Sequence, residues 1–241
     1  MLVLGLRIGT ASGGAFDIGM GDAARAWGFG SEPANAEAMR AAMATARRPA
    51  QEALEVDPLA GLARKHAPIA LDLNGIAKGH GVDRLAKTLQ GFGITAFLVG
   101  IDGEMRASGL RPDGMPWTVA VEMPDPERRA PHSILKLADA AVATSGDYRH
   151  YVTLRGRRLS HTMDPTTGGP LRSSPASVTV VARTCAEADA WATALMVLGP
   201  QAGGELASRL GLHALFLIRE AGVIRTHAVG ALFDSPMVSA A

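Results

Sequence analysis

Short β-like runs set between glycine, proline and aspartate clusters constrain this chain more than any other feature. They fall at residues 96–99, 117–122, 133–137, 157–161 and 177–182, and runs this short, bounded by turn-forming residues, pair most readily with antiparallel neighbours. A hairpin over 214–219 and 223–227, turning at Gly222, continues the pattern. Between the runs lie a few helical stretches. The alanine-rich segment 34–50 favours a helix ending near Pro49. Over 74–89, Ile76, Val82, Leu85, Ala86 and Leu89 recur near helical spacing, with Asn74 suited to the N-cap. Thr184-Cys-Ala-Glu187 fits a capping box, and Trp191, Leu195 and Leu198 then share a face until Gly199-Pro200 stops the helix. A further helix is expected over about 201–210. Strands in runs, broken by a few packed helices and with no dividing linker, predict an α+β chain rather than a doubly wound parallel sheet.

Composition excludes several classes. Twenty-four Lys+Arg against 23 Asp+Glu give a net charge of +1, so no summed positive field draws nucleic acid or anionic lipid. A single cysteine, Cys185, rules out an internal disulfide and any multi-cysteine metal site, and leaves cytosol and periplasm both open. With 47% hydrophobic and 20% charged residues the chain can bury a core. The apolar start, Met1 to Arg7, lacks the basic region of a signal peptide. Charges also recur too often for the roughly 20 apolar residues of a membrane span.

Several segments can carry chemistry, each with a plainer reading beside it. Leu71-Asp-Leu-Asn-Gly-Ile-Ala-Lys-Gly79 brings a helix N-terminus and Lys78 together, a combination that attracts phosphate. Asp72 and Asn74 would equally cap the helix and leave Lys78 solvated. The segment is not a Walker A loop, and Gly79-His-Gly-Val-Asp-Arg84 misses the last glycine of the dinucleotide fingerprint. In Ser160-His-Thr-Met-Asp-Pro-Thr-Thr-Gly168, Asp164 and Thr167 are hard oxygen ligands of the kind magnesium accepts, and His161 can act as a base. Asp-Pro-x-x-Gly is also an ordinary turn. Thr144 and Ser145 can touch a phosphate or pack a turn; with no G-x-S-x-G present, a nucleophilic serine is unsupported. Ser12-Gly-Gly-Ala-Phe-Asp17 suits a heteroaromatic ligand or a helix start, and Gly100 to Arg106 a tight turn.

Taken in order, SGGAFDIGMGDAARAWGFG from Ser12, LDLNGIAKGHGVDRLA from Leu71, GIDGEMRASG from Gly100, ATSGDYRHY from Ala143, LSHTMDPTTGGPL from Leu159 and SVTVVARTCAEADAWATALMVLG from Ser177 resemble the FAD:protein FMN transferase family, often called ApbE. The blocks span nearly the whole chain. The resemblance implies a T-fold-like α+β architecture of mainly antiparallel sheets with packed helices, in a single domain over 1–241. It also implies magnesium-dependent removal of the FMN moiety from FAD and its attachment, as a phosphoester, to a threonine hydroxyl of an acceptor protein, with release of AMP. FAD is then the substrate, and the acceptor a redox-complex subunit carrying a short Ser/Thr-containing motif.

For this sequence the resemblance assigns Ala15, Phe16, Asp17, Asp72 and Lys78 to FAD, and Thr144 and Ser145 join them as candidate phosphate contacts. It assigns Asp164, Thr167 and a loop carbonyl near Gly75 to the metal. His161 is the candidate base for the acceptor hydroxyl. Two departures stand out. Asp102-Gly103-Glu104 replaces the paired glycines usual in the family, and only eleven residues precede Ser12, where family members carry several dozen. A domain shortened at its N-terminus is therefore expected. Family members work in the periplasm or at the membrane, and this chain carries no visible leader. The competing expectations are a non-catalytic FAD-binding paralogue and a magnesium-dependent FAD pyrophosphatase.

Overall fold

A computed structural model of the protein describes residues 1–148, 151–154, 157–171 and 175–233. Arg149 and His150 of the ATSGDYRHY block lie outside the described residues. The chain opens with helices α1 (Leu2–Ala11), α2 (Gly21–Ala26) and α3 (Ala36–Ala44). Asn35 caps α3 by accepting from the amides of Glu37 and Ala38. The alanine-rich segment leaves helical conformation at Thr45, earlier than expected, and resumes after Pro49 as the single turn α4 (Ala50–Ala53). A hairpin follows, β1 (Leu54–Asp57), which buries Leu54, with the exposed β2 (Leu62–Lys65). Helix α5 (Asn74–Gly91) begins with Leu73, not Asn74, at its N-cap.

The remaining strands are β3 (Phe97–Ile101), β4 (Glu104–Ser108), β5 (Trp117–Glu122), β6 (Pro131–Leu137) and β7 (Ala141–Gly146). After them come β8 (Tyr151–Leu154), β9 (Arg157–Ser160), the short pair β10 (Met163–Asp164) and β11 (Gly169–Pro170), and β12 (Ser177–Ala182). The chain continues through helix α6 (Cys185–Leu210) to the hairpin β13 (His213–Glu220) and β14 (Val223–Val229). Thr184 caps α6 by accepting from the Glu187 amide, as the capping-box pattern predicts. The two helices expected on either side of Gly199-Pro200 run into one another across a kink, where Gly199 adopts φ 75°.

Six strands form one antiparallel sheet in the order β14-β13-β12-β7-β4-β3. Its central strands are covered on both faces. Val178, Val180 and Phe216 meet α6, α1 and Ile76 on one side. On the other, Leu215, Leu217 and Val142 pack on Val119, Val121, Leu135 and Leu137 of the β5–β6 hairpin. The alternation of Leu215, Phe216 and Leu217 between these faces is the period-two geometry of a strand. A smaller cluster of Met20, Ala23, Trp27, Met39 and Met163 ties α2 and α3 to the β10–β11 segment. The Trp27 Nε1–H also donates to the Gly168 carbonyl at 3.2 Å. The α+β expectation with antiparallel sheets and packed helices therefore holds.

Helices α5 and α6 cross with almost no space between them. A β-carbon at Gly79 would overlap the Cys185 carbonyl and reach within 2.8 Å of the Ala186 Cα, all of it backbone that cannot swing aside. Gly79→Ala is therefore expected to destabilise the protein by about 3 kcal/mol, at the upper end of overpacking costs. Urea unfolding of the two proteins measures this, and equal midpoints would show that the crossing can open without cost.

Candidate functional site

The α5–α6 crossing places the start of α5 at the floor of a cleft of about 370 Å³. Segments far apart in sequence supply its walls: residues 15–17 and 20, the first turn of α5, the β3–β4 tip, the ends of β5 and β7, residues 161–163 and 165, and α6 through Asp189, Thr193 and Val197. Of the residues singled out from sequence, Ala15, Phe16, Asp17, Asp72, Gly75, Lys78, Thr144, Ser145 and His161 all line it.

Their environments separate them. Phe16 is buried and presses its ring against Gly75, where a β-carbon would stand 3.1 Å from the ring and 2.9 Å from the Thr193 hydroxyl. Asp17 accepts from the amides of Gly19 at 2.7 Å and Ala50 at 3.2 Å, so it braces the loop into α4 as well as facing the cleft. Burial raises its pKa above the ordinary carboxylate range against the pull of those bonds. Asp72 accepts from the Asn74 amide at 2.9 Å, which is the capping geometry of the plainer reading. Thr144 bonds the Thr179 hydroxyl at 2.8 Å, and Ser145 the Thr193 hydroxyl at 3.1 Å. His161 stands edge-on to Phe29, with ring centroids 6.4 Å apart.

Lys78 is not the solvated side chain that its position at a helix start suggests. Its Nζ lies 2.8 Å from Glu104 Oε1 and 3.8 Å from Asp102 Oδ2. Burial pulls the lysine pKa down, but the hydrogen bond and charge of Glu104 outweigh it, and the net shift is upward. Glu104 is itself raised, by burial first, with Lys78 opposing.

Asp164 and Thr167 are absent from the cleft lining among the described residues. The Asp164 carboxylate accepts from the Thr166 amide at 2.9 Å and from the Thr167 hydroxyl at 3.0 Å, closing the turn on itself. Gly168, at φ 66°, completes that turn against the Ala42 carbonyl, where any side chain would collide. The turn secures the neighbouring His161, Met163 and Pro165, which do face the cleft.

Sequence reasoning overlooked Asp189 and Thr193. Spaced four residues apart, they share one face of α6 and look onto Gly75 and Lys78. Asp189 is only 4% exposed, and its Oδ2 accepts from the Gly79 amide at 2.9 Å. That amide is the one an α-helix directs to the Gly75 carbonyl, so the carbonyl at most shares its donor. Burial lifts the Asp189 pKa to about 7, with the Gly79 bond and Lys78 opposing and Glu104 adding to the rise. A lone aspartate and threonine at helical spacing in the otherwise apolar Ala-Asp-Ala-Trp-Ala-Thr-Ala was the available signal. Among the described residues no three His, Cys, Asp or Glu side chains cluster as metal ligands.

The cleft of this α+β protein thus combines an aromatic side chain, a lysine fixed by Glu104 at a helix start, and buried carboxylate oxygens. The ApbE family model matches residues 1–216, and the chain belongs to that family. It is 35% identical over 231 residues to the FAD:protein FMN transferase of Klebsiella pneumoniae, covering 94% of this chain and 66% of that protein. To the Vibrio cholerae enzyme of the same name it is 38% identical over 216 residues, covering 89% and 64%. The chain thus spans just under two-thirds of the length of the curated relatives it matches. Among solved structures, the flavin transferase ApbE from Vibrio cholerae superposes with a TM-score of 0.80 at 33% identity, covering 96% of this chain and 74% of that one. The apo Pseudomonas stutzeri flavinyl transferase ApbE gives 0.80 at 38% identity, covering 97% and 72%.

The raised Asp189 pKa has a consequence for stability. Below about pH 4 the group is protonated in the folded and unfolded chain alike. As pH rises from 3.8 to about 7 the unfolded chain ionises first, so folding stability falls, and above about 7 the deficit is constant. Asp189→Asn keeps an acceptor for Gly79 and cannot ionise. In metal-free buffer it should match the wild type near pH 4 and exceed it increasingly up to about pH 7. Thermal unfolding across that range measures the difference; parallel profiles would mean that Asp189 ionises freely.

Proposed function

We propose that this protein transfers the FMN moiety of FAD to a threonine hydroxyl of an acceptor flavoprotein, with magnesium in the cleft, and releases AMP. One observation carries the reading: Phe16, Lys78, His161 and the buried Asp189 converge on a single cleft from four separate stretches, in a family whose named members are FAD:protein FMN transferases. The acceptor is taken to be a redox-complex subunit with a Ser/Thr-containing motif. The setting is taken to be periplasmic or membrane-associated, as in the family. Among the described residues no helix is long and apolar enough to cross a membrane.

In the reaction the acceptor oxygen bonds to the FMN-side phosphorus and the bond from that phosphorus to the bridging oxygen breaks. AMP leaves with the bridging oxygen, and the hydroxyl proton passes to a base. Phe16 and Met163 offer apolar surface to an aromatic ring. Lys78, held by Glu104, presents a fixed positive charge at the start of α5, where pyrophosphate oxygens benefit from both the ammonium and the helix terminus. His161 is the group assigned to take the proton.

Charge supports a cation in this cleft. Asp17, Asp72, Asp102, Glu104, Glu122 and Asp189 line it against the cations of Lys78 and Arg129, so an anionic pyrophosphate would enter a site already negative. Magnesium, when bound, supplies positive charge against that gathering on the non-bridging oxygens. The residues that would hold it are Asp189, Thr193 and the Gly75 carbonyl. This set is favoured over Asp164 and Thr167 because those two satisfy one another outside the cleft, whereas Asp189 is a buried carboxylate short of positive charge.

Incubation with FAD, magnesium and a candidate acceptor, followed by intact-mass measurement, should add one FMN phosphoester to the acceptor. AMP without the added mass would make the protein a pyrophosphatase, and neither product would make it a binding paralogue. Asp189→Asn should slow transfer at least about 100-fold, the scale of losing a direct electrostatic stabiliser. Asp164→Ala should keep most activity at saturating magnesium, and the reverse ranking would return the metal to the Asp164 turn. A folded, FAD-binding His161→Asn that transfers at the wild-type rate would remove His161 from the reaction.

A further inference from the structure

Lys78 stands between two carboxylates of unlike character. Glu104 is 2% exposed, and its Oε1 is hydrogen-bonded to the ammonium at 2.8 Å, while its Oε2 is buried with no partner among the described residues. An incoming ligand cannot take the lysine from so desolvated a partner without stranding a buried charge. Asp102 differs on each count. It sits at the tip of the β3–β4 hairpin with its side chain 72% exposed, and its Oδ2 is 3.8 Å from the same nitrogen. Its backbone is left-handed at φ 48°, beside Gly103 at φ 102°, a conformation that glycine takes without cost and aspartate tolerates. Lys78 is the one polar partner found for its carboxylate among the described residues.

We propose that Asp102 is a specificity-determining residue: it occupies the solvent side of Lys78 in the free protein and weakens the binding of phosphate-bearing ligands that arrive without a divalent cation. The proposal rests on FAD being the ligand. A pyrophosphate that reaches Lys78 must displace Asp102 and then remain close to its charge. A metal-bound pyrophosphate carries less net negative charge and meets less of that repulsion, so Asp102 couples phosphate binding to cation binding. A ligand without phosphate does not compete for Lys78.

The test is a fluorescence titration of wild type, Asp102→Asn and Asp102→Gly with FAD, in EDTA and in saturating magnesium, with riboflavin as the phosphate-free probe. Asparagine keeps the size of the side chain and tolerates the left-handed backbone; glycine removes the side chain altogether. Both variants should bind FAD in EDTA about threefold to fivefold more tightly than wild type, the range set by an exposed ion pair. The gain should shrink in magnesium and at high salt, and riboflavin affinity should not change. FAD binding with the same constant in wild type and both variants in EDTA would overturn the role of Asp102 alone, as would an equal change for riboflavin. No FAD binding by any of the three proteins in either buffer would overturn the FAD reading, and this proposal with it.

Discussion

The hydrogen bond from the Gly79 amide to the Asp189 carboxylate, made where α5 and α6 touch backbone to backbone, is the contact on which the site depends. It is possible only because residue 79 has no side chain and because residue 189 carries an acceptor into an apolar helix. It joins the two helices that cover one face of the sheet. It also turns the first turn of α5, with Gly75 and Lys78, toward the same space that Asp189 and Thr193 face.

From that crossing outward, the cleft is a problem in charge. Two of its carboxylates, Glu104 and Asp189, are buried and raised above their ordinary range, and one lysine serves both electrostatically. Such an arrangement is costly to the folded protein, and nothing in the packing of the sheet requires it. The hydroxyl pairs Thr144–Thr179 and Ser145–Thr193 belong to the same design, since they link the end of β7 to β12 and to the α6 face without adding charge.

The rest of the fold presents the cleft walls. The β5–β6 hairpin, packed through Val119, Val121, Leu135 and Leu137, brings Glu122 to the rim. The Trp27–Gly168 bond and the methionine-rich cluster beneath it hold the turn that closes on Asp164, and so hold His161. Within that turn the Asp164 carboxylate accepts from the Thr166 amide and the Thr167 hydroxyl.

Much of this was legible in the sequence, for identifiable reasons. The strands over 117–122 and 177–182 were readable because β-branched residues lie between turn formers, and the capped start of α6 because Thr184 and Glu187 stand in capping-box spacing. The ordered blocks from Ser12 to Gly199 carried the family. Short elements escaped: α2 has 6 residues and gives periodicity little to work on. The metal-ligand expectation illustrates the deeper limit. Asp-Pro-Thr-Thr-Gly and Ala-Asp-Ala-Trp-Ala-Thr each offer a carboxylate and a hydroxyl at plausible spacing, and sequence alone does not rank them. Tertiary structure distinguishes them by burial and by the identity of the hydrogen-bond donor: Asp164 accepts from Thr166 and Thr167 of its own turn, whereas Asp189 is buried and accepts from the Gly79 amide of another helix. Those quantities arise only when segments over a hundred residues apart meet, as Gly79 and Asp189 do.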